Sequence, residues 1–230
     1  MTQEALTRME QPKKALLLGA TGLVGKQLLD KLLASPAYAE VTAIVRKPLP
    51  ERPKLKQVVL ADFSAMSGAA FEGAEDVFCA LGTTIKQAGS QARFREVDYD
   101  YPVKAAQLAK AAGAKRYVLV SSMGADPASN IFYSRVKGET EAAIRALRLP
   151  MTSIVRPSLL LGPREQFRFG ERAAAVLSRP LGFLFRGPLA KYRPIQAKDV
   201  AAVMLRVAQM YAPGTHVYEN DQLHRMAPNS

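Results

Sequence analysis

Cysteine and histidine are scarce in this sequence of 230 residues, which contains Cys79, His216 and His224 and no others of either type. A single cysteine excludes an internal disulfide. So small a set also excludes a zinc site of the CxxC or Cys/His kind, and we predict no metal site. Cys79 lies in the apolar run from Val77 to Leu81. A cysteine in such surroundings packs as a small hydrophobic residue, so we expect it in the core.

Long hydrophobic runs are also missing. No stretch approaches the roughly 18 apolar residues of a membrane-spanning helix. The polar residues 1–12 lack the apolar core of about 7–15 residues that a signal peptide needs. We therefore expect a soluble, cytoplasmic protein. We interpret residues 1–12 as a polar leader and residues 13–230 as a single domain, because a chain of this length fits one large core.

Acidic residues are too few to balance the basic ones. The sequence has 32 Lys and Arg against 20 Asp and Glu, a formal net charge of +12. Such an excess attracts anionic partners, nucleic acid among them. The basic residues are dispersed, however, and form neither a continuous block nor a recognition-helix pattern. The sequence therefore favours a phosphate-bearing small ligand over nucleic acid.

Apolar runs and helical spacings alternate along most of the chain. Strands are predicted at 15–18, 41–45, 58–60, 76–81, 117–120, 152–155 and 216–218, and helices at 23–34, 97–112, 131–147 and 199–211. Strands separated by helices indicate βαβ units and a parallel sheet. We therefore predict an α/β fold, a Rossmann-like doubly wound parallel sheet with helices on both faces.

Residues 162–196 interrupt this alternation. The segment is rich in glycine and proline and also contains Phe167, Phe169, Phe183 and Phe185. Such a composition is typical of irregular structure rather than of a further βα unit. We interpret it as a lid-like insert on the substrate side, with one helix near 170–178.

The segment GATGLVG at residues 19–25 joins the first predicted strand to the first helix. Glycines Gly19, Gly22 and Gly25 would let the backbone turn sharply and approach a pyrophosphate closely. The helix N-terminus that follows offers free N–H groups and the positive end of a dipole. The segment therefore predicts a dinucleotide-binding loop.

The end of the second strand indicates which dinucleotide is bound. An NAD site usually has an acidic residue there, which accepts hydrogen bonds from the ribose. This sequence has Arg46 and Lys47 instead, which suit a 2′-phosphate, so we expect NADP(H) in preference to NAD(H). Asp62 and Phe63, after the third strand, are candidates for contact with adenine.

Tyr133 and Lys137 form a Y-x-x-x-K motif on a predicted helix. Residues four apart share one helix face, and a lysine ammonium there favours the phenolate form of the tyrosine. A tyrosine tuned in this way can exchange a proton with a carbonyl or alcohol oxygen. Ser121 and Ser122 end the fifth strand, at the sheet edge where such folds bind ligands, and a hydroxyl there can contact the substrate oxygen.

Together these motifs resemble the short-chain dehydrogenase/reductase superfamily, in its extended or atypical branch. The resemblance rests on GATGLVG (19–25), ADF (61–63), LGTT (81–84), VSSMGAD (120–126), YSRVKGETE (133–141) and VRPSLLLGP (155–163). Within the superfamily, the sequence is similar to the Tat-interacting oxidoreductase-like group, which shares the LGTT, Ser-Ser-x-Gly-Ala-Asp and Y-x-x-x-K-G-E segments.

The resemblance implies a role for individual residues. It makes Tyr133 the acid/base, Lys137 its partner and Ser122 the donor to the substrate oxygen. The residues that it assigns to the cofactor are Gly19, Thr21, Gly22, Leu23, Val24, Gly25, Arg46, Lys47, Asp62, Phe63, Leu81, Gly82, Thr83, Ser121, Lys137 and Pro157, with Ser158 beside Pro157 at the nicotinamide. One departure is Asp98, which stands where family members often have an asparagine that steadies proton transfer.

Three functions follow as hypotheses. The first is an NADP(H)-dependent oxidoreductase acting on a small carbonyl or alcohol whose identity the sequence does not give. The second is a catalytically weak NADP(H)-binding regulator that senses the cofactor and binds a protein partner. The third is a nucleic-acid-binding protein, and the dispersed positive charge makes it the least favoured of the three. A second copy of the chain as partner is left open.

Overall fold

The computed structural model describes residues 12–162 and 191–228. Most of the predicted leader over residues 1–12 and most of the predicted insert over residues 162–196 lie outside the described residues. The helix predicted near 170–178 lies outside them as well. The boundaries of the predicted domain and of its insert therefore stay predictions.

One parallel sheet organises this part of the chain. The strands are β1 (Lys13–Leu18), β2 (Tyr38–Val45), β3 (Leu55–Val59), β4 (Asp76–Cys79), β5 (Arg116–Val120), β6 (Met151–Arg156), β7 (Leu160–Leu161), β8 (Ile195–Gln196) and β9 (Gly214–Glu219). The main sheet has the order β3-β2-β1-β4-β5-β6-β9 with every neighbouring pair parallel, and β7 pairs with β8 apart from it. The strand order reverses between β1 and β4, which leaves a crevice at their carboxyl ends. This topology confirms the predicted doubly wound fold.

Helices cover both faces of the main sheet. They are α1 (Leu23–Ala34), α2 (Ile85–Ala88), α3 (Gln91–Arg95), α4 (Tyr101–Ala111), α5 (Phe132–Ala146), α6 (Ala197–Gln209) and α7 (Asn220–Met226). Helices α1 and α6 pack on one face, whereas α4 and α5 pack on the other. In residues 12–162 and 191–228, no helix is both long and apolar enough to cross a membrane.

Strand β1 shows why two separate cores form. Its residues Ala15 to Leu18 are all buried, since both faces of a central parallel strand are covered. Successive side chains point to opposite faces, so Leu17 packs in the core beneath α1 and α6. Leu16 and Leu18 pack in the core beneath α4 and α5. Cys79 is fully buried in that second core, as expected.

The helix predicted at 97–112 differs most from the structure. Helical backbone begins earlier, at Gln91, where the Ser90 hydroxyl accepts a hydrogen bond from the Arg93 amide and caps α3. Between α3 and α4 the backbone makes a π-helical turn over Glu96–Asp100. Pro102 follows this turn and has no N–H to continue an α-helical bond, which accounts for the change of pitch.

The structure also contains elements that the sequence patterns did not indicate. They include α2, α7 and the short pair β7–β8, which joins Leu160 to Ile195. Asn220, fully buried at the start of α7, holds this region together. Its side-chain oxygen accepts from the Ser158 amide at 3.0 Å, and its side-chain nitrogen donates to the Arg193 carbonyl at 2.8 Å. It also donates to the Lys191 carbonyl at 2.9 Å.

Candidate functional site

A cavity of about 990 Å³ opens at the carboxyl ends of β1, β2 and β4. This is the crevice where a doubly wound sheet binds its ligand. The predicted cofactor residues that line it are Gly19, Thr21, Gly22, Arg46, Lys47, Asp62, Phe63, Leu81, Gly82 and Thr83. The others, which do not line it, are Leu23, Val24, Gly25, Ser121, Lys137 and Pro157. Their contact with a cofactor stays a prediction.

The glycine loop has the close packing that its sequence predicts. Gly19 has a φ of 85°, and a Cβ there would lie 2.5 Å from the Ala80 carbonyl oxygen. A Cβ at Gly25 would lie 1.9 Å from the Gly19 carbonyl oxygen, so α1 packs directly on the loop. Gly22 caps α1 without a side-chain hydrogen bond, and the first turn carries no acidic residue. The helix N-terminus is therefore available to an anion such as a pyrophosphate.

Two cations line the cavity where β2 ends. Arg46 and Lys47 are both exposed, and neither forms an ion pair with another residue in the described ranges. No carboxylate occupies the turn that follows β2 at residues 46–50. The positive charge at this end of the cavity is therefore available to an anionic ligand.

The far end of the cavity is built from Asp62, Phe63, Arg93 and Tyr101. The Ser64 amide donates to Asp62 Oδ1 at 2.7 Å and lowers the pKa of Asp62 to about 2, helped by the Tyr101 hydroxyl at 2.8 Å. Phe63 meets the Tyr101 ring edge to face at 5.7 Å. Neither Arg93 nor Tyr101 was predicted at this site, and Arg93 lies before residue 97, where the helix was expected to begin.

Ser122 has the most unusual surroundings of the predicted catalytic residues. Its side-chain oxygen is buried and has no hydrogen-bond partner within the described part of the chain. An unpaired buried hydroxyl is costly, which makes it a candidate for contact with a ligand oxygen. The loop that carries it is fixed on both sides, since the Ser121 amide donates to the Val155 carbonyl and the Met123 amide donates to the Pro157 carbonyl.

Ser121, in contrast, serves the framework of the site. Its hydroxyl donates to Glu141 Oε1 at 2.6 Å, and Glu141 is fully buried on α5. Arg156 at the end of β6 donates to both oxygens of the same carboxylate, at 2.9 and 2.7 Å. Arg145 donates to it at 2.8 Å. Glu141 therefore ties together β5, β6 and α5, and nothing in its sequence motif indicated this.

Arg156 extends this network to β9 and to the loop after β5. It also donates to Glu219 at the end of β9, at 2.8 Å, and to the Ala125 carbonyl at 3.1 Å. These bonds, that to Glu141 above all, raise the pKa of Arg156 above its ordinary value. The loop after β5 is thus held by an ionic network at the carboxyl edge of the sheet. The Ser158 hydroxyl donates to the Arg193 carbonyl at 2.6 Å, and the position of Ser158 beside the nicotinamide stays a prediction.

Tyr133 and Lys137 lie one turn apart on α5, as the motif predicts. The Tyr133 ring packs against Phe94 with ring centres 5.5 Å apart. Lys137 is buried, and its Nζ lies 2.6 Å from Asp98 Oδ1. Burial works against the charged form, yet attraction to Asp98 and Tyr133 outweighs it, so the pKa of Lys137 lies above its ordinary value. Lys137 is therefore an ammonium held by a buried counter-ion.

Gly138 brings the serine loop close to this helix. A Cβ there would lie 2.2 Å from the Asp126 carbonyl carbon and from the Pro127 nitrogen. The Asp126 amide also donates to the Ser134 carbonyl at 3.1 Å. The loop that bears Ser122 therefore packs directly on α5 one residue beyond Lys137. The sequence places Gly138 after the Y-x-x-x-K motif but gave no reason for a glycine in mid-helix.

Taken together, these groups can bind an anionic dinucleotide and exchange a proton with an oxygen atom. The glycine cradle fits a pyrophosphate, and the cations after β2 fit a phosphorylated ribose. Gly82 lies between the cavity and the predicted catalytic residues, because it lines the cavity and a Cβ there would lie 3.8 Å from Lys137 Nζ. A hydroxyl donor, a phenol and an ammonium are thus available at one edge of the sheet.

Known proteins are similar to this chain in sequence. The NAD(P)H-binding family matches residues 19–210. Protein HTATIP2 of Rattus norvegicus is 40% identical over 166 residues, which are 70% of this chain and 68% of that protein. Protein FMP52, mitochondrial, of Debaryomyces hansenii is 36% identical over 199 residues, which are 84% of this chain and 87% of that protein.

Solved structures share the fold at lower identity. MoeE5 in complex with UDP-glucuronic acid and NAD superposes with a TM-score of 0.69 at 18% identity, covering 89% of this chain and 75% of that one. Uronate dehydrogenase from Agrobacterium tumefaciens superposes with a TM-score of 0.64 at 17% identity, with the same coverage of 89% and 75%. At such identities the likeness bears on the fold alone.

Proposed function

Because the chain belongs to the NAD(P)H-binding family, among the atypical short-chain dehydrogenases and reductases, we propose that it is an NADP(H)-dependent oxidoreductase. Its substrate would be a small carbonyl compound or the corresponding alcohol. The observation that carries this proposal is the buried Ser122 hydroxyl with no partner in the described residues. A substrate oxygen would supply the missing hydrogen bond, and Tyr133 on the adjoining helix would supply the proton.

Each residue of the site has a defined task in this reaction. When bound, NADPH supplies the hydride that reduces the carbonyl carbon. Ser122 donates a hydrogen bond to the carbonyl oxygen, and Tyr133 gives that oxygen its phenolic proton. Lys137 stabilises the phenolate that Tyr133 becomes and contacts the ribose. The glycine loop, Arg46 and Lys47 bind the phosphates, and Asp62 with Phe63 binds adenine.

The preference for NADP(H) predicts a selective effect of Arg46→Ala. Since Arg46 would contact only the 2′-phosphate, the loss of one charge-assisted bond should raise the Kd for NADPH about 10-fold. The Kd for NADH should change less than about 2-fold. Fluorescence titration of both cofactors measures the two constants. Arg52→Ala is the matched control, because Arg52 pairs with Asp30 on α1 and does not line the cavity. Equal losses for NADPH and NADH would rule out the assignment.

The activity itself is tested with a panel of aldehydes, ketones and quinones. We expect at least one of them to be reduced, with NADPH consumed in equal amount and the alcohol recovered as product. The measurement is the absorbance of NADPH together with product identification by mass spectrometry. Firm NADPH binding with no consumption across the panel would contradict the enzyme assignment.

That second result would favour the regulator that senses NADP(H) and binds a protein partner. One observation supports this alternative: the buried Asp98 carboxylate offsets the charge of Lys137, which leaves the ammonium less able to stabilise a phenolate. A regulator needs only the cofactor cavity and not proton transfer. For either function we predict a cytoplasmic location, whereas the fungal relative is named as mitochondrial.

A further inference from the structure

The ion pair between Lys137 and Asp98 is among the most deeply buried charged contacts of the described chain. The side chain of Asp98 is 0% exposed and that of Lys137 is 8% exposed, with 2.6 Å between Nζ and Oδ1. Removing two charges from water costs several kcal/mol per ion, and the attraction across 2.6 Å offsets this cost although Oδ1 accepts no well-aligned hydrogen bond within the described residues. This costly pair lies directly beside the proposed reaction site, which indicates a function in addition to packing.

Asp98 also contacts residues that line the proposed cofactor cavity. Its second carboxylate oxygen, Oδ2, accepts a hydrogen bond from the Thr83 amide at 2.9 Å. Thr83 and Gly82 line the cavity, and a Cβ on Gly82 would lie 3.5 Å from Asp98 Oδ1. One carboxylate therefore joins the catalytic helix, through Lys137, to the loop that faces the cofactor.

The backbone around Asp98 keeps the carboxylate in this place. Asp98 lies in the π-helical turn, and Pro102, four residues later, has no N–H to donate to its carbonyl. The Thr140 hydroxyl instead lies 2.8 Å from the Asp98 carbonyl and 2.8 Å from the Val136 carbonyl of its own helix. Asp98 is thus joined to α5 by its backbone as well as by its side chain.

We propose that Asp98 is a positioning residue, whose carboxylate holds the Lys137 ammonium charged and fixed against the Leu81–Thr83 loop. This inference rests on the proposed function, in which Lys137 contacts the cofactor ribose. It assigns a function to Asp98, which stands at the position where the resemblance implies an asparagine. The charge of Lys137 depends on Asp98, whereas an asparagine would leave a buried ammonium without a counter-ion.

The effect of removing Asp98 on the protonation of Lys137 depends on the titratable groups that face Lys137. They are Asp98 on the π-helical turn, Tyr133 on α5 and Cys79 on β4. Burial raises the pKa of the Cys79 thiol, and the Asp98 carboxylate, 2.6 Å from Nζ, is the counter-ion of Lys137. Without Asp98, burial would lower the pKa of Lys137, and the lysine would lose its proton within the accessible pH range.

Asp98→Asn tests this dependence through NADPH binding, without any need for turnover. The Kd for NADPH is measured by fluorescence from about pH 6 to about pH 9, a range in which a desolvated lysine titrates. We expect wild type to vary less than about 2-fold, and Asp98→Asn to bind about 10-fold more weakly at high pH and to recover on acidification. Equal binding by wild type and Asp98→Asn at every pH, or an equal loss at every pH, would overturn the proposal.

Three further variants complete the test. Lys137→Met should bind NADPH weakly at every pH, and Asp98→Asn combined with Lys137→Met should match it.

If Asp98→Asn does not fold, Asp98→Glu keeps the charge and displaces the carboxylate. It should weaken NADPH binding about 10-fold with an unchanged circular dichroism spectrum, and wild-type affinity would contradict positioning. Wild type that fails to bind NADPH would instead refute the proposed function. If Lys137→Met binds NADPH weakly while Asp98→Asn binds NADPH as wild type does, the role of Asp98 is refuted and the proposed function is not.

Discussion

Tyr133→Phe is expected to lower the rate of NADPH oxidation about 100- to 10,000-fold, the usual contribution of a positioned acid or base. Phenylalanine keeps the ring that packs against Phe94 but removes the only proton that Tyr133 can give to a carbonyl oxygen. Binding of NADPH should change less than about 2-fold, because Tyr133 does not line the cavity proposed to hold the cofactor. The measurement pairs a rate with any reducible carbonyl and a fluorescence titration of NADPH.

Tyr211→Phe is the matched control for this experiment. Tyr211 is 82% exposed beyond the end of α6, so the same atom is removed far from the cavity. Its rate should equal that of wild type. Turnover by Tyr133→Phe at the level of Tyr211→Phe would show that another group provides the proton.

Glu141→Ala is expected to reduce the free energy of unfolding by about 3 kcal/mol, the lower end of the range for breaking a buried ion pair. The loss leaves the Ser121 hydroxyl and the Arg156 guanidinium without their main partner. The lower end applies because the Arg156 side chain is 19% exposed and keeps its bond to Glu219. Urea unfolding, followed by circular dichroism, measures the difference.

Glu139→Ala provides the comparison on the same helix. Glu139 pairs with Arg95, and their side chains are 30% and 43% exposed, so this pair should contribute less than about 1 kcal/mol. The two variants remove the same side chain two positions apart. Equal effects on the urea midpoint would mean that burial of Glu141 does not govern its contribution.

The fold was largely predictable because its signals are local. The apolar run of β1, the β-branched run of β2 and the helical spacing of α1 each depend on residues close in sequence. The motifs GATGLVG and Y-x-x-x-K indicated the superfamily. The matches to the NAD(P)H-binding family, Protein HTATIP2 and Protein FMP52 confirm that resemblance. Element ends differ by a few residues where capping rather than periodicity decides them.

The parts that escaped prediction depend on contacts between distant residues. Asp98 meets Thr140 across 42 positions, and Arg156 meets Glu219 across 63. The spacing of residues along the chain does not indicate contacts between such distant residues. A carboxylate in a helix is, moreover, ordinarily exposed to solvent. Arg93 was missed for a different reason, since the π-helical turn hides the continuity of the helix on which it lies.

The pairing of β7 with β8 has an evolutionary consequence. Leu160 and Ile195 are neighbours across this pair, so two segments that are distant in sequence meet at adjacent points. Asn220 fastens residues on both sides of that gap through its side chain. Closing a loop costs only about 0.6 kcal/mol more for each doubling of its length. Closure between Leu161 and Ile195 therefore depends little on the number of intervening residues, so relatives that differ in length there could inherit the same β7–β8 pair and the same Asn220 contacts.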